Sequence, residues 1–246
     1  MTKPARLSAS LARMLSACGA ASAATLFLAL AAVPAAASPD CQSDPVAGID
    51  WQECDKKLLI LSGNDLSGAN LFGVDFTSTD LRDTNLLAAN LEKATLVRAS
   101  LAGSNAKGAK FDRIEAYRTN FSGMDAQGAV FAGAEMQRSN FKDANLTDVD
   151  FTKSELGRAQ FDGATITGTK FPLANLARAD FRTAKFTGPI DFNGAFFFLA
   201  RLEGVDLSAA TGLAQWQIDM ACGDDKTVLP AGLQAPASWP CKFDQD

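Results

Sequence analysis

Large apolar side chains recur at every fifth position along most of this chain. All 26 of these positions from Leu61 to Phe186 are apolar, and 21 of them are Leu or Phe. The residue two places earlier is usually small, as at Ala69, Val74 and Thr79. A helix repeats its buried side every 3.6 residues and a strand every two, so this pattern predicts neither. A fixed short period instead predicts a solenoid, whose units bury apolar side chains only by stacking on their neighbours.

The repeated unit resembles that of the pentapeptide-repeat family, A(D/N)LXX. The match is found at Ala69-Asn70-Leu71, Ala89-Asn90-Leu91, Ala144-Asn145-Leu146 and Ala174-Asn175-Leu176. The resemblance implies an all-β fold, a right-handed quadrilateral parallel β-helix with one unit per side and four units per coil. It also implies that the central residue of each unit and the small residue two places before it point inward, while the other three face water.

Phenylalanines spaced twenty residues apart agree with such a coil. One set is Phe121, Phe141, Phe161 and Phe181, and the other is Phe111, Phe131, Phe151 and Phe171. The two sets fall on opposite sides of the square, and small residues such as Ala116 and Ala126 fall on the other two. We expect this alternation because a narrow core accepts large side chains only opposite small ones.

The pattern divides the chain into four predicted regions. Residues 1–37 combine a basic start, an apolar middle and a small-residue end, which predicts a signal peptide cleaved after Ala37. An uncleaved membrane anchor is the alternative, because the apolar stretch is long enough to span. Residues 38–58 are predicted to form an N-terminal cap, and residues 213–246 a C-terminal cap. Residues 59–212 form the β-helix, with a one-residue insertion near 188–189 that predicts a bulged corner.

The C-terminal cap is predicted to contain a short capping helix that ends at Gly223. Its apolar, buried side is predicted to consist of Leu213, Trp216, Ile218 and Met220. Just before the cap, Phe196 and Phe198 flank an inward position and should face outward. They form either a contact patch or a surface beneath the cap, and we expect the cap to cover them.

The cysteines indicate two disulfides and an oxidising compartment. Cleavage after Ala37 leaves Cys41, Cys54, Cys222 and Cys241, an even number that is typical of exported proteins. Four cysteines allow three pairings, but the β-helix separates the caps by the length of the rod, whereas bonded cysteines have Cα atoms about 4.4–6.8 Å apart. The expected pairs are therefore Cys41 with Cys54 and Cys222 with Cys241, and the same separation excludes a four-cysteine zinc site. The expected location is the periplasm or the exterior, with no membrane span after cleavage.

Composition argues against two classes of function. The chain has no histidine, and no nucleophile motif or phosphate loop interrupts the repeat, so we expect neither an enzyme nor a cofactor. The resemblance also suggests topoisomerase-directed DNA mimicry, which uses an acidic wall. Here residues 59–212 contain 16 basic and 18 acidic residues, so the wall is nearly neutral. DNA mimicry and a carbohydrate-active enzyme are the remote alternatives, and no nucleic-acid partner is expected.

One side of the predicted rod has a column of arginines. They are Arg98, Arg118, Arg138, Arg158 and Arg178, each two residues after a central position. Glu115, Glu135 and Glu155 form a second column, three residues before their arginines. The interpretation that we favour is a solvated lattice of salt bridges with little energetic value. The other interpretation is a linear anion-binding site for an acidic polysaccharide, lipid head groups or an acidic protein.

These features predict an exported, non-catalytic pentapeptide-repeat scaffold. Its partner is expected to be an unidentified protein or an acidic polymer of the cell envelope. The alternative function is a polyanion-binding surface built on the arginine column. A homo-oligomer is compatible with both.

Overall fold

A computed structural model describes residues 39–242 of the chain. They form a right-handed quadrilateral parallel β-helix, in which successive coils are joined by single backbone bridges twenty residues apart. The predicted signal peptide, residues 1–37, lies outside the described residues. Within the described range, no helix is long and apolar enough to cross a membrane.

Each five-residue unit is a short extended piece followed by a tight turn. The N–H of Leu61 donates to the carbonyl of Asp80 at 2.8 Å, and the N–H of Asp80 donates to the carbonyl of Leu59 at 2.9 Å. The following turn closes with a bond from the N–H of Asn64 to the carbonyl of Leu61. Its third residue, Gly63, has a φ of +74°, as a type II turn requires. Five residues are therefore what the chain needs to follow one side and turn one corner.

Four two-residue strands stand out from the single bridges. They are β1 (Thr165–Ile166), β2 (Lys185–Phe186), β3 (Ile190–Asp191) and β4 (Ala210–Thr211). β1 pairs in parallel with β2, and β3 with β4. Thr165 lies opposite Lys185, 20 residues on, but Lys170 lies opposite Asp191, 21 residues on. One additional residue is thus accommodated in the corner around Pro189, which has no N–H to donate.

The interior contains the central residues and the small residues two places before them. Phe111 stacks on Phe131 with ring centroids 4.5 Å apart, and Phe121 stacks on Phe141 at 4.9 Å. Phe121 also meets Phe131 edge to face at 5.9 Å. These rings are fully buried, and so is Ala126 on a neighbouring side. Large side chains therefore alternate with small ones around the coil, which fills the core without overpacking it.

The β-helix begins earlier than predicted. Asp50 and Asp55 already pair with the next coil, so the described part of the predicted N-terminal cap, residues 39–58, contributes to the ladder as well as to a cap. One inward position of this region is occupied by Lys56, whose side chain carries a charge. Lys56 is nevertheless buried. A lysine is tolerated there because its ammonium reaches partners in the cap.

The N-terminal cap folds over the first coil around Trp51. The ammonium of Lys56 lies 3.6 Å from the Trp51 ring centroid and donates to the carbonyl of Cys41 at 2.8 Å. Burial lowers the pKa of Lys56, although nearby Asp40 opposes the shift. The indole N–H of Trp51 donates to Ser43 Oγ at 3.1 Å. The cap thus satisfies the polar groups that it covers.

The C-terminal end contains the helix α1 (Gln215–Met220), which ends before the predicted Gly223. Trp216 was predicted on the buried side, but it is 49% exposed, while Gln217 is buried. The Gln217 amide donates to the carbonyls of Phe192 at 3.0 Å and Ala195 at 2.9 Å. The prediction for Trp216 was wrong because two carbonyls at the end of the coil need donors, and the amide of Gln217 supplies both N–H groups, whereas an indole has only one.

The four cysteines lie in two pairs at disulfide distance. The Cα atoms are 5.5 Å apart in Cys41–Cys54 and 5.4 Å apart in Cys222–Cys241. Each pair closes a loop within one cap, with a sequence separation of 13 and 19 residues, respectively. These are the two pairs expected from the separation of the caps.

The C-terminal cap leaves Phe196 and Phe198 uncovered. They are 42% and 45% exposed, so the prediction that the cap covers them was wrong. The reason is the position of α1: its last residue, Met220, accepts a hydrogen bond from the N–H of Leu199. The helix therefore continues the stack above the coil instead of folding down over its outer surface.

Candidate functional site

The arginine face is the side of the β-helix on which the five predicted arginines lie. It consists of residues 94–98, 114–118, 134–138, 154–158, 174–178 and 195–199, one unit per coil. The arginine column comprises Arg98, Arg118, Arg138, Arg158 and Arg178, and the glutamate column comprises Glu115, Glu135 and Glu155. Backbone bridges join Glu115 to Glu135 and Glu135 to Glu155. Each coil therefore contributes one residue to each column, directly above the residue from the coil before it. All five arginines are exposed.

The arginine column occupies the positive-φ position of its corner. The five φ angles lie between 57° and 61°. At this position the other three corners repeatedly use glycine, as at Gly63, Gly68 and Gly73. The corner of the arginine column has no glycine from Leu58 to Leu199. Because a non-glycine residue in this region costs about 1 kcal/mol, this corner keeps side chains where the backbone favours none.

The two columns do not form ion pairs with each other. Among residues 39–242, no ion pair within 4 Å includes a member of the arginine column or of the glutamate column. On another side, by contrast, Arg82 bonds Asp80 at 2.6 Å. Arg82 directly follows its central residue, next to the carboxylate, whereas the arginine column lies one position further, in the turn. The favoured prediction, a lattice of salt bridges, is therefore wrong.

The surface of the arginine face has two grooves between successive arginines. One shallow groove is lined by Arg118, Arg138, Arg158 and Gln160. A second is lined by Gln137, Arg138, Gly157, Arg158, Ala177 and Arg178. The Arg118 guanidinium lies 5.2 Å from the ring centroid of Tyr117, and Glu155 accepts a bond from the Asn175 amide at 2.7 Å. Since each guanidinium has five N–H donors, most of the donors in the column are available to a ligand or partner.

The units that bear the column share little else. They read ATLVR, IEAYR, AEMQR, SELGR and ANLAR, and only the arginine is common to all five. The neighbouring residue ranges from Gly157 to Tyr117 in size. Copying of a twenty-residue unit does not by itself account for the column, because the neighbours of the arginine have diverged.

Carboxyl groups elsewhere on the described coils are not clustered as metal ligands. Hydrogen bonds from Arg82 lower the pKa of Asp80 to about 2, and burial raises the pKa of Asp112. In the part of the chain that the structure describes, no three His, Cys, Asp or Glu side chains lie close enough together to hold a metal ion. The arginine face is therefore the candidate site.

Comparisons with known proteins agree with the repeat. A family profile described as Pentapeptide repeats matches in eight copies, over residues 59–87, 79–114, 117–152 and 159–204. Among curated proteins, no match to the chain is found.

Two of the similar solved structures show the same architecture. Two trypsin-treated variants of QnrB1, a plasmid-mediated fluoroquinolone resistance protein, superpose with TM-scores of 0.62 and 0.58. They are 21% and 18% identical in sequence to the chain, cover 70% and 79% of it, and are themselves covered to 88% in both cases. A pentapeptide repeat protein from the Arabidopsis thaliana thylakoid lumen is 32% identical over 39% of the chain and 67% of its own length, with a TM-score of 0.38.

Proposed function

Because the chain belongs to the pentapeptide-repeat family, we propose that it is a non-catalytic interaction scaffold that docks its partner on the arginine face. The observation behind the proposal is the arginine column. It presents one exposed guanidinium per coil, at positive φ and without a carboxylate partner among the described residues. Backbone strain and unpaired charge that folding does not need support a use between molecules.

The scaffold is proposed to work in the periplasm or outside the cell. The two cysteine pairs at disulfide distance support an oxidising compartment, and the predicted signal peptide, residues 1–37, supplies the route. Residues 38–58 and 213–246 then close the two ends of the rod. The likeness to QnrB1 supports the fold alone, and no resistance role is carried over.

The test uses the protein, expressed as the full chain and recovered from the cell envelope, as bait in three forms. They are the wild type, a variant with Arg118→Ser, Arg138→Ser and Arg158→Ser, and a control with Lys142→Ser, Lys170→Ser and Lys185→Ser. The control removes the same charge from other sides of the coil. We expect partners captured from envelope extract to bind the arginine variant at least about tenfold more weakly, because charge-assisted bonds are lost, and to bind the control unchanged. Equal capture by all three forms would exclude the arginine face.

The second candidate function is binding of an acidic polymer. The specific observation in its favour is the groove formed by Arg118, Arg138, Arg158 and Gln160, which runs along the rod. Titration with polygalacturonate across a salt series tests it, since binding through several guanidiniums weakens steeply as salt rises. Affinity that does not differ between the wild type and the arginine variant would rule this candidate out.

A further inference from the structure

We infer that the partner on the arginine face is a second copy of this chain, which lies side by side with the first about a two-fold axis parallel to the rod. The inference rests on the proposed docking face and names its occupant. It comes from the way that the two charged columns and the exposed phenylalanines are arranged across the same face.

A two-fold axis parallel to the rod keeps every coil at the height of the same coil in the second copy. It also exchanges left and right across the contact, as in any isologous interface. When the axis runs midway between the two columns, the arginine column of each copy lies opposite the glutamate column of the other. An axis across the rod would instead place arginine on arginine and glutamate on glutamate. Charge complementarity therefore selects the parallel arrangement.

We call each five-residue unit of the face a row. In this arrangement each row lies opposite the same row of the second copy, and the side chains that meet are complementary. The three middle rows place Arg118, Arg138 and Arg158 opposite Glu115, Glu135 and Glu155 of the second copy. In the flanking rows, Arg98 lies opposite Thr95, and Arg178 lies opposite Asn175. The side-chain oxygens of Thr95 and Asn175 can accept guanidinium N–H groups, so no arginine faces another cation.

The row after Arg178 changes from charged to apolar on both sides of the axis. Phe196 occupies the position of the glutamate column and pairs with Asn175, while Leu199 occupies the position of the arginine column. Phe198 lies between them, and its ring stacks on Phe196 with centroids 6.3 Å apart. In the dimer, Phe196 of one copy meets Leu199 of the other. The contact covers exposed aromatic surface that the C-terminal cap leaves open.

An acidic polymer fits the whole face less well than a second copy does. A polyanion that follows the arginine column also runs beside Glu115 and Glu135, which repel it, and it gains nothing from the exposed phenylalanines. Between the columns, Gly157 and Ala177 have little bulk, so a facing rod can approach closely at the rows of Arg158 and Arg178, while the larger Tyr117 and Gln137 fill the two rows before them. The second copy is the occupant that uses both columns and the apolar row.

The contact is small enough to be reversible. The contact spans three residue steps across the face, from one column to the other, and six coils along the rod. It is therefore a strip of roughly 10 Å by 25–30 Å. Such a strip, about 250–300 Å² on each copy, is smaller than the roughly 800 Å² per partner of a stable interface, so we expect a weak dimer that forms only at high protein concentration and low salt.

Sedimentation velocity of the protein recovered from the cell envelope tests the inference. The wild type should sediment as a dimer at about 0.05 M salt and as a monomer at about 0.5 M, because the pairing is electrostatic. One variant, Arg118→Glu, Arg138→Glu and Arg158→Glu, makes both columns acidic. A second variant, Glu115→Arg, Glu135→Arg and Glu155→Arg, makes both columns basic. Each variant alone should stay monomeric, because its dimer dissociation constant should rise at least about tenfold.

Mixing the two variants gives the decisive result. An equimolar mixture should sediment as a dimer, since an acidic face then meets a basic one, and this complementation also shows that both variants are folded. A wild type that is monomeric at low salt, a dimer that persists in either variant alone, or a mixture that stays monomeric overturns the inference. The proposed function is judged separately: if partner capture still depends on the arginines while no dimer forms, the docking face stands and its occupant is another molecule.

Discussion

The phenylalanine columns of the core and the arginine column of the surface repeat with the same spacing, yet their surroundings differ. Phe151 stacks on Phe131 at 5.2 Å and on Phe171 at 5.1 Å, and it also meets Phe141 edge to face at 5.7 Å. Arg158, at the same level of the rod, has no carboxylate within ion-pair distance among the described residues. The phenylalanines are fully packed within the chain, whereas the arginines have no ion-pair partner in residues 39–242.

This difference separates two causes of repetition in a solenoid. Inward positions repeat because each ring needs the rings above, below and beside it to fill a narrow core. The arginines gain nothing of that kind, and their backbone is held in a region that favours glycine. A surface column without an ion-pair partner among the described residues therefore supports a contact outside the chain.

Shortening one side chain in each column should have the largest and most unequal effects on stability. Phe151→Ala should lower the free energy of unfolding by about 3–5 kcal/mol, because stacked rings on both sides limit how far the cavity can collapse. Arg158→Ala should change it by no more than about 0.5 kcal/mol, since an exposed side chain without partners is removed. Urea unfolding followed by circular dichroism measures both. Similar losses for the two variants would mean that the arginine column also serves folding.

The five-residue period predicted the interior almost completely. An inward position in a solenoid has neighbours that are known from the period itself, so the stacking of Phe121 on Phe141 follows from their spacing. Lys56 shows the limit of this reasoning. Its burial depends on Trp51 and on the carbonyl of Cys41, which belongs to the cap and lies outside the period.

The surface and the ends were predicted less well. The spacing put Glu135 beside Arg138, but whether the two side chains touch depends on the direction that the turn gives to the arginine. In α1, six residues are too few for an apolar period to identify the buried side, and Gln217 is buried because two carbonyls need its amide. Phe196 is exposed because the helix sits on the coil end, a feature that no local pattern encodes.

A smaller effect distinguishes the backbone of the arginine column from its side chains. Arg138 has a φ of 61°, and Arg138→Gly should stabilise the fold by about 1 kcal/mol, because glycine adopts this region without strain. The same change should weaken dimer formation or partner binding. Lys153→Gly is the matched control, since Lys153 has a φ of 59° in a different corner. It should stabilise to the same degree and leave binding intact. Destabilisation by Arg138→Gly alone would show that the arginine has an intramolecular role.

The smallest predicted effect uses a guanidinium that does have a partner. Arg82 donates to Asp80 through Nε at 2.8 Å and Nη2 at 2.6 Å, and these bonds lower the pKa of Asp80 from 3.8 to about 2. Because the folded-state pKa lies below the unfolded one, the ion pair stabilises the fold above pH 3.8, and that stability is lost as the pH falls toward 2.

Wild-type protein should therefore lose more stability than Asp80→Asn between pH 5 and pH 2, by less than about 1 kcal/mol because solvent screens the pair, with the Arg82 side chain 58% exposed. Thermal unfolding across this pH range measures the difference. For the comparison, Arg98→Ala should have the pH profile of the wild type, since Arg98 has no carboxylate bound to it within the described residues. If Arg98→Ala flattened the profile as Asp80→Asn does, the arginine column would be paired within the chain in solution, and neither the docking face nor the dimer would follow from it.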